Sequence, residues 1–241
     1  MNKDVPDSSD QLYAEKLASV QDFTFNEKVT RVFNDMVRRS VPGYDVVVEL
    51  IGVLAAAHSQ TVQRPLLCLD LGCSRGAVTQ SLLNQLTDPR TRIVAIDNSE
   101  AMINAARTEI ADERVMFITQ DVLHSNFDDV DVAAMNLVLQ FIEPDDRLGM
   151  LTKIRRGLRD DGLFILTEKI QSDPEFVDYH HSFKRAKGYS ELEITQKRDA
   201  LEKVMVIDSL ETHLDRLNEA GFSRVTVWFQ LLNWVSLIAR S

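Results

Sequence analysis

Between Pro65 and Lys169 the chain alternates short apolar runs with segments of helical periodicity, and no other feature restricts its fold as much. LLCLDL (66–71), RIVAID (92–97), VMFITQD (115–121), VDVAAMNLVLQF (130–141) and LFILTEK (163–169) each contain a predicted strand, the last starting at Gly162. Between them lie a helix running from the glycine turn GCSRG through Leu86, a helix in SEAMINAARTEI (99–110) with Ser99 as its N-cap, and a helix in DDRLGMLTKIRRGL (145–158). A parallel strand pair needs a crossover connection, so strand–helix–strand repeats imply a mostly parallel sheet with helices on both faces.

The two ends depart from that rhythm. SRVTVWFQ (223–230) and NWVSLIARS (233–241) are strand-like runs at hairpin spacing, which makes them antiparallel. Near the N-terminus, Val29, Val32, Phe33 and Met36 place an amphipathic helix over Phe25 to Arg39. Pro42 and Gly43 break it, and a second helix follows through VVVELIGVLAAAH (46–58). Residues 1–21 read as a mobile or weakly docked lead-in, and 22–241 as one domain with a polar, helical insertion at about 171–205.

Charge narrows the partners. The formal net charge is −10 (37 Asp and Glu against 27 Lys and Arg), which argues against a broad phosphate-binding surface and hence against direct nucleic-acid binding. A local basic pocket is still open, and HHSFKRAKGYSELEITQKR (180–198) concentrates two histidines with several cations. Cys68 and Cys73 form no CxxC pair, so no zinc or redox motif and no disulfide is expected, and a reducing cytoplasmic setting is the simplest. The N-terminus lacks the apolar core of a signal peptide, and no apolar run is expected to reach membrane-spanning length.

LDLGCSRG (69–76) sets Gly72 and Gly76 directly after an apolar strand and before a helix, where glycine permits a sharp turn and close ligand approach. Asp97 ends the second strand, 25 positions beyond Gly72, where an acidic side chain can accept both hydroxyls of a ribose. Nicotinamide-binding folds share that arrangement, but their G-x-G-x-x-G would need glycine at Ser74, while Ala77 suits the last position. The terminal hairpin favours the other nucleoside-binding architecture. The chain resembles the class I S-adenosylmethionine-dependent methyltransferase-like Rossmann fold, an α/β fold with a central, mostly parallel seven-stranded sheet and a C-terminal antiparallel hairpin. N-terminal helices and a helical insertion before the hairpin complete it here. That resemblance implies adenine reading by Asp121 and the backbone N–H of Val122, with Asn136 under the sulfonium.

The flanking segments resemble one family more closely, the carboxy-S-adenosyl-L-methionine synthases. The resemblance is carried by DFTFNEKVTRVFNDMVRRSVPGY (22–44), LDLGCSRGA (69–77), MNLVLQFIEP (135–144), HHSFKRAKGYSELEITQKR (180–198), ETHLDRLNEAGF (211–222) and WFQLLNW (228–234). It implies that S-adenosylmethionine and prephenate give carboxy-S-adenosylmethionine and phenylpyruvate, with water lost as the prephenate ring aromatises. In the route it implies, the sulfonium methyl is deprotonated to an ylide that captures CO2 released by prephenate, without a metal. The product would serve a downstream carboxymethyltransferase that modifies the wobble uridine of tRNA, and a homodimer is expected. By family correspondence Arg198 clamps the transferred carboxylate and Tyr44 contacts the ligand at the same end. Gly72, Cys73 and Ser74 line the methionine side, Asp97 and Asn98 the ribose, Asp121 and Val122 the adenine, and Asn136 the sulfonium region. His180 and His181 are read either as groups titrating near neutrality or as one structural and one exposed histidine. Lys184 and Arg185 are read either as prephenate contacts or as solvated charges. The competing readings are an ordinary small-molecule methyltransferase and a non-catalytic S-adenosylmethionine-binding partner.

Overall fold

A computed structural model describes residues 9–241. Helices α1 (Glu27–Ser40) and α2 (Tyr44–Val62) precede β1 (Leu67–Leu71), α3 (Ala77–Gln85), β2 (Arg92–Asp97), α4 (Glu100–Glu109), β3 (Val115–Thr119), β4 (Val130–Asn136), α5 (Pro144–Gly157) and β5 (Leu158–Lys169). The insertion forms α6 (Pro174–Ala186) and α7 (Glu191–Leu201), and α8 (Leu210–Glu219) leads to β6 (Arg224–Leu231) and β7 (Trp234–Arg240). The strands make one sheet in the order β3-β2-β1-β4-β5-β7-β6. Strands β1 to β5 pair in parallel, and β7 runs antiparallel between β5 and β6. This is the expected mostly parallel sheet closed by a terminal hairpin.

Two differences from expectation are local. β5 starts at Leu158, ahead of Gly162, because Leu158 pairs with Val130 and an irregularity follows before Leu163 joins Val132. The hairpin turn is Leu232 and Asn233, one residue later than the gap between the two predicted runs, with Leu232 in the left-handed region at φ 52°.

Alternation along β1 sends Leu69 and Leu71 to one face of the sheet and Cys68 to the other. The first face packs on α5 and α8 through Met150, Leu151, Ile154 and Leu217. The second packs on α2 and α3 through Ile51, Ala55, Val78 and Leu82. With 19 residues and a mean hydropathy of 1.3, α2 has the length and apolar character of a spanning segment, so the expectation that no run reaches that length does not hold. In this fold α2 serves as a core helix, with Ile51 and Ala55 fully buried.

Ser99 caps α4 by accepting the Met102 N–H, as the sequence suggested. Residues 1–8 of the expected mobile lead-in lie outside the described residues, whereas 9–21 lie packed on the insertion. Leu17 N–H donates to the Gln196 side chain, whose amide donates to the carbonyls of Tyr13 and Glu15. Asp10 is buried. Long-range polar pairing of this kind has no local sequence signal.

Candidate active site

In an open α/β sheet, a crevice forms beyond the C-terminal strand ends where connections leave in opposite directions. Here that point lies between β1, which continues to β2 on one side, and β4, which continues to β5 on the other. A cavity of about 530 Å³ opens there. Tyr44, Gly72, Cys73, Ser74, Asp97, Asn98, Asp121, Val122 and Asn136 all line it. Segments far apart in sequence thus meet at one crevice.

The turn after β1 is built on backbone hydrogen bonds. Gly72 and Cys73 N–H both donate to the Ile96 carbonyl, at 2.8 and 2.9 Å. Gly72 has φ 74°, and a Cβ there would lie 2.3 Å from Val138 Cγ2. The residue is therefore required by the backbone conformation and by the Val138 side chain. Asp97 accepts the Ser74 N–H at 2.9 Å and the Ser99 N–H at 2.8 Å, so one carboxylate joins the glycine turn to the cap of α4. Burial raises the Asp97 pKa, and the two N–H donors oppose that rise. Asp121 caps the short 3-10 turn Val122–His124 through the Leu123 N–H, which presents the Val122 backbone at the cavity edge. Cys73 is buried, and burial pushes its thiol upward, which suits a small residue in a turn and not a nucleophile.

Asp70 also lines the cavity and was not among the expected site residues. It accepts both the backbone N–H and the hydroxyl of Thr79, at 2.9 and 2.6 Å. Burial pushes it up to about 6. Glu168, at the end of β5, takes the N–H groups of Val138, Leu139 and Gln140 at 2.8–3.0 Å and so fixes the loop after β4 that meets Gly72. Burial pushes Glu168 up to about 8, against the pull of those three donors.

Cations furnish another part of the lining. Lys169 closes β5, Lys184 comes from α6 and Lys197 from α7, and all three line the cavity with His180, Ser40 and Trp234. Lys197 is 5% exposed; its ammonium contacts Ser40 Oγ at 2.9 Å and Asp10 Oδ2 at 3.4 Å, and Asp10 also accepts the Tyr189 hydroxyl. Burial pulls Lys197 down to about 8, with Asp10 opposing. Burial, then the charges of Lys197 and Lys169, bring Lys184 down to about 7. Burial also lowers Lys169, whose ammonium sits 5.9 Å from the centroid of Trp234. Of the two readings open for His180, the structural one fits. It is buried with Nε2 2.7 Å from the Ser40 carbonyl, and burial, then Lys184, push it down to about 3, so the neutral ring donates that bond. His181 is half-buried on the same helix. Tyr44, at the first position of α2, has its phenol pushed upward by burial and then by Asp70, so it faces the cavity as a neutral hydroxyl.

Arg198 is the exception among the expected site residues. It does not line this cavity: its side chain is 63% exposed, and its guanidinium meets Asp199 Oδ1 at 3.2–3.3 Å. Successive helical residues point about 100° apart, and α7 buries Glu193, Ile194, Gln196, Lys197 and Ala200. The Lys197–Arg198 pair is split by that geometry, with the lysine turned in and the arginine out. Lys184 turns in likewise, while Arg185 is exposed and paired with Glu191.

The chain matches the methyltransferase domain family over residues 68–162, the segment that supplies the turn after β1, Asp97, Asp121 and Asn136. It is 47% identical over 243 residues to the carboxy-S-adenosyl-L-methionine synthase of Stutzerimonas stutzeri strain A1501, covering 95% of this chain and 97% of that protein. With the protein of the same name from Pseudomonas fluorescens strain SBW25 it shares 49% identity at the same coverage. Among solved structures, a putative S-adenosyl-L-methionine-dependent methyltransferase of Methanococcus maripaludis superposes with a TM-score of 0.61 at 20% identity, covering 93% of this chain and 97% of that one. Human N-acetylserotonin methyltransferase in complex with SAM gives 0.60 at 15% identity, over 89% of this chain and 55% of that one. Those two likenesses bear on the fold alone.

Proposed function

The chain belongs to the carboxy-S-adenosyl-L-methionine synthase family, and on that premise we propose that it converts S-adenosylmethionine and prephenate to carboxy-S-adenosylmethionine and phenylpyruvate. The observation that carries this reading is near-full-length similarity to the synthases, joined to a cavity that contains both a carboxylate-lined nucleoside end and buried ammonium groups. The overall change balances. Prephenate loses CO2 and hydroxide as its ring becomes aromatic, the sulfonium methyl loses a proton to that hydroxide as water, and the methyl carbon bonds to the CO2 carbon.

Each part of the chain has a task in that reaction. Asp97, held by two backbone N–H groups, accepts the ribose hydroxyls, with Asn98 beside it. Asp121 and the Val122 backbone take the adenine, the turn Gly72–Ser74 the methionine portion, and Asn136 the region of the sulfonium. The neutral Tyr44 hydroxyl donates a hydrogen bond to the carboxylated end. Because Arg198 points outward from α7, its carboxylate clamp serves the cavity of a second copy in a homodimer. The product passes to a tRNA-modifying carboxymethyltransferase in the cytoplasm, and this protein itself does not contact tRNA.

Mass spectrometry of nucleosides formed from S-adenosylmethionine and prephenate tests the reading. The expected product has the mass of S-adenosylmethionine plus a carboxyl group in place of hydrogen, with phenylpyruvate in equal amount. Arg198→Ala should abolish it while retaining fold and S-adenosylmethionine binding. Plain S-adenosylmethionine as the only nucleoside, with no phenylpyruvate above the buffer rate, overturns the proposal.

A further inference from the structure

The nucleoside end uses none of the buried lysines, and the outward Arg198 leaves them without an assigned role. We propose that Lys169 and Lys184, beside the Asp10-held Lys197, form an anion subsite that binds the two carboxylates of the second substrate and loosens when one of them is transferred. This inference rests on the reaction proposed above.

The first support is charge balance. Three ammonium groups line one cavity, and among the described residues only Lys197 has a carboxylate partner, Asp10. No hydrogen bond or ion pair to the ammonium of Lys169 or Lys184 is found among the described residues. Buried cations are costly unless paired. The neighbouring groups do not relieve them: His180 and His181 are lowered toward the neutral form, Tyr44 keeps its proton, and among the described residues the cavity's Asp70, Asp97, Asp121, Glu143 and Asp146 form no ion pair with either lysine. A ligand with two negative charges matches the two unpaired ammonium groups, Lys169 and Lys184, while Asp10 continues to hold Lys197.

The second support is geometric. The lysines come from three separate elements, β5, α6 and α7, so they converge only because the insertion folds over the end of the sheet. Trp234, beside Lys169, adds an apolar wall to the same region and meets His180 edge-on at 5.8 Å between centroids. An apolar ring flanked by carboxylates fits such a lining.

Lysine also suits turnover. Its ammonium is a compact charge on a flexible stem, without the rigid fork that grips one carboxylate. Prephenate enters as a dianion, and phenylpyruvate leaves as a monoanion because one carboxyl carbon now belongs to the nucleoside. The attraction to the lysines falls with that transfer, which favours release of the keto acid.

The test measures binding without turnover. Protein carrying Trp228→Phe, so that Trp234 is the only indole, is loaded with S-adenosylhomocysteine, which lacks the reacting methyl, and titrated with prephenate by fluorescence. Lys184→Met and Lys169→Met should each raise the prephenate Kd on the order of 10- to 100-fold, the loss expected for a charge-assisted contact. The S-adenosylhomocysteine Kd should stay within about twofold, since its contacts are elsewhere. Lys184→Arg should recover part of the loss, phenylpyruvate should bind less tightly than prephenate, and Lys187→Ala, on the exposed side, should change nothing. An unchanged prephenate Kd in both methionine variants overturns the subsite, as does equal binding of prephenate and phenylpyruvate. Lysine-dependent prephenate binding without carboxylated product would sink the proposed reaction and leave the subsite standing. Product formation with wild-type KM in the lysine variants would do the reverse.

Discussion

The two ends of the cavity are built on opposite principles. At the nucleoside end, the acidic groups are already occupied by the fold: Asp97 holds Ser74 and Ser99 N–H, Asp121 holds Leu123 N–H, and Asp70 holds Thr79. At the lysine end, the charged atoms come from the end of β5 and from the two inserted helices, and two of the three lack a partner within the described residues. The first end is rigid because its ligand-facing groups also stabilise turns and caps. The second end is poised electrostatically, because its charges are balanced only when an anion is present. Damage to the first should therefore register in folding and nucleoside binding together, and damage to the second in anion binding with nucleoside binding retained.

The largest expected effect is at Gly72. Gly72→Ala combines a left-handed backbone with a Cβ 2.3 Å from Val138. About 3 kcal/mol of destabilisation is expected from these two costs. At two to four degrees per kcal/mol for a chain of this size, Tm should fall by roughly 6–12 °C. S-adenosylmethionine affinity should drop by on the order of 100-fold as the turn shifts. Thermal unfolding with and without ligand measures both, and adding Val138→Ala should restore part of the loss by relieving the collision. Wild-type Tm and affinity in Gly72→Ala would show that the nucleoside end is not coupled to the fold in this way.

The contrast between the ends also explains what the sequence could reveal. A strand followed by a glycine turn and a helix is a local pattern, so Gly72 and Asp97 are legible at the ends of β1 and β2, and Asp121 two residues beyond β3, where it caps the next turn. The lysine end has no such local mark. Lys197 and Arg198 are neighbours in sequence, and only the phase of α7 decides which one turns inward. That phase is hard to read because the buried positions of α7 include the polar Glu193, Gln196 and Lys197, which blur the apolar stripe. Asp10 was hidden in the apparent lead-in because its partners, Tyr189 and Lys197, lie about 180 residues further along. Lys169 did carry a signal, since a charged residue ending a buried parallel strand faces the crevice as Asp97 does. Ser190 and Glu193 form a complete capping box that starts α7, and S-x-x-E is visible in the sequence. Arg198, placed at the site by family correspondence, belongs in geometry to the outer surface of this chain.

An intermediate effect should separate the ends directly. Asp97→Asn keeps one oxygen to accept an N–H but presents an amide N–H toward the other donor. Nucleoside affinity should fall on the order of 10- to 100-fold, because a buried charged hydrogen bond is lost and a donor is left unpaired. Prephenate binding to the nucleoside-loaded protein should change by no more than about twofold, since Asp97 does not contact the lysines. Calorimetric titration of each ligand into Asp97→Asn and Lys184→Met gives four affinities. A matched loss of both ligands in either variant would erase the distinction between the two ends.

The smallest expected effect is a pH trend. Lys184 titrates near 7 and Lys197 near 8 in the folded protein, with Lys169 also lowered and His180 and His181 both lowered beside them. A bound dianion favours the ammonium forms, so binding draws in protons, and affinity weakens as the free site loses its charge. Between pH 7 and 8 the prephenate Kd should rise by at most about tenfold per lysine titrated, because each unit change in a linked pKa corresponds to tenfold. S-adenosylhomocysteine binding should stay flat over that window. Stability without ligand should run the other way. An unfolded lysine keeps its proton to about 10.4, so above pH 7 these lysines bind more protons in the unfolded chain than in the folded one and make folding more favourable as pH rises, while Glu168, raised to about 8, opposes that trend until it ionises. Denaturant unfolding at pH 7 and pH 9, paired with prephenate titrations, measures the two slopes together. Lys184→Arg should reduce both by the share of that one lysine, since a guanidinium stays charged throughout while Lys197 and Lys169 still titrate. Parallel slopes for stability and prephenate affinity, or a pH-independent prephenate Kd, would mean that the lysine end does not act as an electrostatically unbalanced receptor.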